Sequence, residues 1–206
     1  MVSIIDYGAG NIRSVENAIR FLGQDPVLTR DPEVILSSDH CILPGVGAFG
    51  DAMARLRKYG LDEVIGETVQ RGIPFLGICL GLQLLFESSE ESPGAEGLGI
   101  LPGKILRIPD SDKGHAVRKV PQIGWNDLSF PRAGKLFEGI GEGAYVYFVH
   151  SYYLRASDPA IVTAQTEYGV KIDAAVERGN VFACQFHPEK SEAVGMKILN
   201  NFLAVR

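Results

Sequence analysis

Cys79 stands between two glycines in the segment GICLG (77–81), and a cysteine in that setting can act as a nucleophile. The apolar run before it, residues 73–78, predicts a buried strand, and residues 80–86 predict a helix. Small neighbours let a side chain project from a tight strand-to-helix turn, as in G-x-S-x-G. The start of the following helix would favour a thiolate through its free N–H groups and dipole. The alternative is a cysteine that simply packs in the core.

A thiol nucleophile needs a base, and His187 is the histidine best placed to supply one. It lies in the segment HPE, where Pro188 ends a strand because proline cannot donate to the ladder. Glu189 then lies just beyond the strand, where its carboxylate can orient the imidazole and stabilise the imidazolium. Together with Cys79, this pattern predicts a Cys–His–Glu triad. The alternative interpretation of the segment HPE is a surface turn that follows a strand.

A glycine-rich segment, PGVGAFGD (44–51), offers a place for the negative charge that forms during attack on a carbonyl. The backbone N–H of Val46 or Gly47, together with that of Leu80, would form an oxyanion hole. The same letters also match the dinucleotide fingerprint G-x-G-x-x-G. That alternative is disfavoured, because the match does not follow the opening strand and Pro44 interrupts the strand end.

The elements that must position these groups alternate between strand and helix in the first half of the chain. Residues 2–5 and 40–43 are short apolar runs, and helical spacing follows at 11–22 and at 50–71, with a break expected at Gly60. Such alternation predicts an α/β fold with an open, mostly parallel, twisted sheet flanked by helices.

The second half of the chain is richer in strands. Segments 104–108, 144–154 and 160–168 read as strands, and 166–186 predicts an antiparallel ribbon. A final amphipathic helix spans 191–205, with Ser191 as its predicted N-cap. The acidic segment 87–99 reads as a solvated connection.

Composition narrows the classes of function. The 206 residues suit a single domain, 1–206, and the net charge of −5 argues against a nucleic-acid partner. The three cysteines share no CxxC spacing, which argues against a zinc site and against a secreted disulfide framework. No metal site is expected. No signal peptide and no membrane-spanning run is visible, so a cytoplasmic protein is expected.

The three motifs together resemble class I glutamine amidotransferases, in particular the glutaminase subunits of imidazole glycerol phosphate synthases. The resemblance runs along the whole chain and includes DYGAGN (6–11), PQIGWN (121–126), YFVHSYY (147–153) and HPEKS (187–191). It implies a flavodoxin-like fold without a cofactor. It also implies that Cys79, His187 and Glu189 hydrolyse L-glutamine through a thioester.

The resemblance further implies two sets of contacts. Substrate binding falls to Gly45, Gln83, and the backbone at Ser151 and Tyr152. A cyclase partner with a (β/α)₈ barrel would form a heterodimer and accept the ammonia, facing Asn11, Trp125, Asn126 and Lys190. For Trp125 a core position is the alternative, and for Lys190 a merely solvated one.

Other functions remain open on the sequence alone. One is a glutaminase subunit for anthranilate, p-aminobenzoate or pyridoxal phosphate synthesis. Another is a γ-glutamyl hydrolase or cysteine peptidase of the same fold, and a third is a binding module without catalysis. The complete triad argues against the third.

Overall fold

The computed structural model describes residues 1–8, 12–110 and 119–206. The first half alternates strands and helices as predicted, with two additional short elements before residue 40. Its elements are β1 (Val2–Ile5), α1 (Ile12–Phe21), β2 (Pro26–Thr29), α2 (Pro32–Leu36), β3 (His40–Gly45), α3 (Phe49–Lys58), α4 (Leu61–Gln70), β4 (Phe75–Cys79) and α5 (Leu80–Leu84).

The second half is mostly strand and ends in a helix. Its elements are β5 (Ser88–Ser89), β6 (Gly103–Arg107), β7 (Gln122–Asp127), β8 (Tyr145–His150), β9 (Tyr152–Ala156), β10 (Val162–Glu167), β11 (Lys171–Arg178), β12 (Val181–Cys184) and α6 (Glu192–Leu203).

A seven-stranded sheet in the order β10-β11-β12-β4-β3-β1-β2 forms the centre of the molecule. Every strand in it runs parallel except β11, which pairs antiparallel with both neighbours. Because β3, β4 and β12 are adjacent and parallel, their carboxyl ends meet at one edge of the sheet. Ligands bind at such edges in open α/β sheets. The glycine loop, the cysteine and the HPE segment each follow one of these three strands.

Each face of the sheet carries its own apolar core. One core joins the sheet to α3, α4 and α5, and the other joins it to α1 and α6. All five residues of β4 are buried, as expected for a central parallel strand that helices cover on both faces. The nucleophile candidate therefore lies at the end of a fully buried strand.

Two smaller sheets lie beside the central one and correct one prediction. Residues 144–154 are not one strand, because the ladder breaks at Ser151: β8 pairs with β7, whereas β9 pairs with β6. The carbonyl of Ser151 accepts a hydrogen bond from the backbone N–H of Ile108, which marks the crossing between the two sheets.

Other expectations differ from the structure only locally. The break between α3 and α4 falls at Gly60, as predicted, in a left-handed conformation with φ of +67°. Strand β2 and helix α2 were not predicted, because they are only four and five residues long and include prolines and charges. None of the helices in the described ranges is long and apolar enough to cross a membrane.

Candidate active site

Cys79 ends β4 and begins the turn into α5 with unusual backbone angles, φ +56° and ψ −109°. Such a conformation is strained in a residue other than glycine and persists only where the surrounding structure enforces it. Gly81 explains how the turn closes, because a methyl group added there would collide with the backbone oxygen of Leu43. A methyl group at Gly77 would lie 2.7 Å from the carbonyl oxygen of Gly81. The two glycines therefore allow α5 to start directly against β3 and β4.

The sulfur faces a cavity of about 290 Å³ at the carboxyl edge of the sheet. The walls combine predicted site residues with others that the sequence did not single out. They are Val46, Gly47, Leu80, Gln83, Glu91, Pro121, Val149, His150, Ser151, Tyr152, His187 and Lys190. A larger depression of about 590 Å³ lies around Phe130 and Lys135, but its described lining contains no cysteine, serine or histidine. The smaller cavity is therefore the candidate active site.

His187 and Glu189 form a buried pair beside the cavity. The Nδ1 atom of His187 lies 2.8 Å from Oε1 of Glu189, and their side chains are 4% and 1% exposed. Ser191 holds the turn that carries them: its hydroxyl donates to the carbonyl of His187 at 2.6 Å and accepts from the N–H of Tyr147 at 3.0 Å. Ser191 is the N-cap residue of α6, as predicted, but its side chain makes no cap hydrogen bond to the helix.

The environment of His187 favours its charged form. Burial lowers its pKa, but the interactions with the Cys79 sulfur and the Glu189 carboxylate outweigh burial and raise the pKa to about 9. At neutral pH the ring is therefore an imidazolium. A cation at this place is a counter-ion for a thiolate and a proton donor for a leaving amine.

The glycine loop leaves the sheet next to the sulfur, because Gly45 pairs with Cys79 in the β3–β4 register. Val46 and Gly47 line the cavity, and Gly47 has a φ of +104°. Leu80 is the first residue of α5, where backbone N–H groups have no partner within the helix. These three residues line the cavity together with Cys79, and their N–H contacts to an oxyanion remain a prediction.

Gly45 lies behind the cavity rather than in its described lining. A methyl group there would collide with the hydroxyl of Tyr7 and lie 3.0 Å from the Cβ of Leu80. This glycine therefore allows β3 to pack against the turn, and its predicted backbone contact to substrate stays a prediction. Gly50, the third glycine of the alternative dinucleotide fingerprint, donates its N–H to Ser92 and packs against that residue.

The predicted substrate residues Gln83, Ser151 and Tyr152 do come together on the cavity wall. The amide nitrogen of Gln83 donates to the carbonyl of Tyr152 and to Oε1 of Gln185, both at 3.0 Å. Both N–H groups of Gln83 are thus committed, and its oxygen is the atom that remains for a ligand.

Glu91 is a cavity residue that the sequence interpretation missed. It lies in the acidic segment read as a solvated connection, but that segment is tied to the fold. One carboxylate oxygen of Glu91 accepts the N–H of Phe49 at 2.8 Å, and Glu87 and Glu90 accept from the N–H groups of Gly103 and Arg107. The run of acidic letters gave no sign of these long-range contacts.

His150 is a second missed residue, buried where it lines the cavity. Its Nδ1 lies 2.8 Å from the carbonyl of Tyr152, and its Nε2 lies 3.1 Å from the amide of Gln122. Burial, with a smaller contribution from the charge of His187, lowers its pKa to about 4, so the ring is neutral. Because a carbonyl only accepts, Nδ1 carries the proton.

This neutral histidine predicts a loss of stability in mild acid. In the unfolded chain His150 becomes protonated as the pH falls below its ordinary pKa of about 6.5. In the folded chain it becomes protonated only near pH 4, so between these values the unfolded state binds one more proton. The free energy of unfolding should therefore fall by roughly 1.5 kcal/mol between pH 6.5 and 5 from this group alone. Urea titrations of wild type and His150→Asn, which keeps a donor toward Tyr152, measure the difference. An equal pH dependence in both proteins would contradict the buried neutral ring.

The four residues predicted to face a partner differ in exposure and in hydrogen bonding. Trp125 is 46% exposed on the β7–β8 hairpin, so the core alternative is wrong. Lys190 is exposed at the rim of the cavity, whereas Asn126 donates its side-chain amide to the carbonyl of Glu167. Asn11 lies outside the described residues. Within residues 1–8, 12–110 and 119–206, no cluster of three His, Cys, Asp or Glu side chains is suited to hold a metal ion.

Comparison with known sequences places the site in a family. The model of the family "glutamine amidotransferase class-I" matches residues 3–205. A protein of Methanothermobacter thermautotrophicus, named imidazole glycerol phosphate synthase subunit HisH, is 49% identical over 205 residues, covering 100% of this chain and 98% of its own length. The protein of the same name from Bacillus cereus is 50% identical, covering 100% and 95%.

Solved structures support the same fold. A crystal structure of a glutamine amidotransferase superposes with a TM-score of 0.75 at 23% identity, covering 98% of this chain and 96% of the other. The structure of PurLQS from Thermotoga maritima superposes with a TM-score of 0.73 at 22% identity, covering 98% and 96%. The predicted α/β fold with a mostly parallel sheet is thereby confirmed. This chain belongs to the class I glutamine amidotransferases.

Proposed function

We propose that this chain is the glutaminase subunit of an imidazole glycerol phosphate synthase, and that it releases ammonia from L-glutamine for a cyclase subunit. The observation that carries the proposal is the strained turn that holds Cys79 beside the buried His187–Glu189 pair. The names of the relatives, about half identical over the whole chain, supply the pathway.

The first half of the reaction forms a thioester. The Cys79 thiolate attacks the side-chain amide carbon of glutamine, and a sulfur–carbon bond forms. The N–H of Leu80, with that of Val46 or Gly47, stabilises the oxyanion. The His187 imidazolium donates its proton to the amide nitrogen, the carbon–nitrogen bond breaks, and ammonia leaves.

The second half releases glutamate. The neutral ring of His187 takes a proton from water, whose oxygen attacks the thioester carbonyl. The sulfur–carbon bond breaks, and the proton held on His187 restores the starting ion pair. Glu189 acts throughout through Nδ1, because it fixes the tautomer of the ring and stabilises its positive charge.

Residues of the cavity wall outside the triad and the glycine loop would bind glutamine. The oxygen of Gln83 and the backbone of Ser151 and Tyr152 can bond the amino-acid end of the substrate. Glu91 supplies a negative charge for the α-ammonium group of the substrate. The N–H of Phe49 holds one of its carboxylate oxygens in place, and the carboxylate lines the cavity, so the other oxygen can face the substrate.

We expect Glu91→Gln to weaken glutamine binding without disabling the chemistry. Glutamine retains an oxygen for the N–H of Phe49, so the loop should stay in place, but the charge is lost. A charge-assisted hydrogen bond contributes roughly 1.5–3 kcal/mol, so KM should rise roughly 10- to 100-fold while kcat changes little. Steady-state kinetics of glutamate release measure both constants. An unchanged KM would remove Glu91 from substrate recognition.

The partner side of the proposal rests on exposed groups near the cavity. Ile123, Trp125 and Tyr145 expose large apolar or aromatic surfaces on the β7–β8 hairpin, and Lys190 stands at the rim. Such a surface suits a protein partner. We assign it to the cyclase, a (β/α)₈ barrel in a cytoplasmic heterodimer, and we keep Asn11 and Asn126 as further expected contacts of that partner. The other glutaminase pathways and a peptidase have no specific observation in their favour.

Glutamate release by this chain, measured alone and with the cyclase subunit and its nucleotide substrate, tests the proposed function. We expect slow hydrolysis by the isolated chain and a marked increase in the complex. The resemblance to the family implies that the loop at Val46 and Gly47 rearranges to form the oxyanion hole, and we propose that binding of the cyclase drives this change. Full activity of the isolated chain would contradict the coupling. No glutamate release under either condition would contradict the glutaminase assignment.

A further inference from the structure

Gln185 is a fully buried side chain beside the nucleophile, at a position to which the triad mechanism gives no task. It follows β12 directly, and its backbone N–H donates to the carbonyl of Ala174 at 2.8 Å, so the main chain is fixed. Its Nε2 lies 3.7 Å from the sulfur of Cys79, a distance suited to a hydrogen bond to sulfur. Its Oε1 faces the amide of Gln83 at 3.0 Å.

The orientation of both amides is dictated by one backbone carbonyl. The carbonyl of Tyr152 can only accept, so the amide group of Gln83 must turn its nitrogen toward it. The second N–H of Gln83 then points at Gln185, which must present its oxygen there. Gln185 therefore turns its nitrogen toward Cys79. Rotating the Gln185 amide by half a turn would place two donors against each other and an oxygen against the sulfur.

We infer that Gln185 is a positioning residue that donates a hydrogen bond to the Cys79 thiolate and is itself aimed by Gln83. This inference rests on the proposed role of Cys79 as nucleophile. An amide donor favours the thiolate over the thiol, because hydrogen bonds to an ionised acceptor are stronger than those to a neutral one. The carbonyl of Val149, 3.8 Å from the sulfur, acts in the opposite direction, since only a thiol can donate to it.

The other titratable groups near the sulfur do not mask the effect of the Gln185 N–H on the ionisation of Cys79. His187 is the cation of the site and is paired with Glu189. Tyr7 and Cys184 also interact electrostatically with Cys79, but burial raises the pKa of each above its ordinary value, so both stay neutral. Gln185 does not titrate, so removing its N–H changes the thiolate without adding or removing a charge.

The connection to Gln83 couples substrate recognition to the nucleophile. Gln83 offers its remaining oxygen to the substrate and also holds Gln185 in the orientation that serves the sulfur. A substrate that binds the oxygen of Gln83 therefore also fixes the side chain of Gln185, which donates to the sulfur of Cys79. Removing Gln83 should loosen Gln185 and produce part of the same defect.

Alkylation of the full-length chain by iodoacetamide, followed by intact mass across pH 5–10, tests the inference without glutamine. Cys41 and Cys184 are fully buried, so Cys79 is the thiol expected to react. Gln185→Met, of similar length but without a donor, should raise the pH of half-maximal alkylation by about one unit, a roughly tenfold loss of rate below it. Gln185→Leu is the second variant, should the first not fold as judged by circular dichroism.

Gln165→Leu is the matched control, since it removes a side-chain hydrogen bond to Asp173 on a neighbouring strand without touching Cys79. Its alkylation profile should equal that of wild type, whereas Gln83→Leu should show a smaller shift than Gln185→Met. A folded Gln185 variant with the wild-type profile overturns the inference, as does an equal shift in Gln165→Leu. Failure of the proposed function is distinguishable, because it would appear as a wild type that releases no glutamate even with the cyclase present. Failure of Cys79 as the nucleophile would appear as glutamate release that survives Cys79→Ala.

Discussion

Cys79→Ala should abolish glutamine-dependent glutamate release, by at least about 10⁴-fold, and leave ammonia-driven synthesis by the cyclase complex intact. The loss is large because no other described group in the cavity can form the thioester, and the triad members act as a unit. The retained activity follows because free ammonia enters the reaction after the step that needs the thiol. Both rates are measured in one preparation, with glutamine or an ammonium salt as the nitrogen source.

Cys41→Ala provides the matched control for this prediction. Cys41 is also a buried free thiol, but it pairs with Phe75 at the opposite end of β4 from Cys79. Its removal should lower stability slightly and leave both rates within a few-fold of wild type. Glutamate release that persists in Cys79→Ala would contradict the mechanism, and loss of both activities would indicate that the complex had not assembled.

Gly81→Ala should damage both stability and catalysis, because the added methyl group would overlap the carbonyl oxygen of Leu43. The obstacle is backbone rather than the end of a flexible side chain, so α5 must move away from β3. Overpacking of this kind costs about 1–3 kcal/mol or more. The movement also displaces the N–H of Leu80 and the sulfur of Cys79, and misplacement of this size lowers kcat by roughly 100-fold.

Gly66→Ala separates this steric effect from the general effect of replacing a helical glycine. Gly66 lies within α4, and a methyl group there has no neighbour within 4 Å. That substitution should raise the free energy of unfolding by roughly 0.5–1 kcal/mol and leave kcat unchanged. Chemical denaturation and steady-state kinetics of the two variants test the comparison. A Gly81→Ala protein as stable and as active as wild type would refute the account of the turn.

The sequence was sufficient for the features that local chemistry determines. Glycines around Cys79 predicted the strained turn, alternation of strand and helix predicted the sheet, and the position of Glu189 predicted its contact with His187. Each of these depends on residues close together in the chain. The resemblance to a family then connected three separate motifs to one site.

The features that the sequence did not reveal depend on contacts across long stretches of chain. Glu91 reaches Phe49, Gln185 reaches both Cys79 and Gln83, and His150 is buried against Gln122. In the sequence these residues stand in an acidic run, a strand end and an aromatic run, and none of these settings indicates which distant residue the side chain contacts. Ser191 shows the same limit, since its hydroxyl accepts the N–H of the distant Tyr147 and holds the HPE turn, and makes no hydrogen bond to α6.

The central claim is that a thioester forms on Cys79, and hydroxylamine tests it most directly. Added to the complex with glutamine, hydroxylamine competes with water for the thioester carbonyl and releases γ-glutamyl hydroxamate, while the thiol is restored. We predict hydroxamate formation by wild type, at the expense of glutamate, and none by Cys79→Ala. Glutamate release by wild type without any hydroxamate, or hydroxamate formation by Cys79→Ala, would contradict the account.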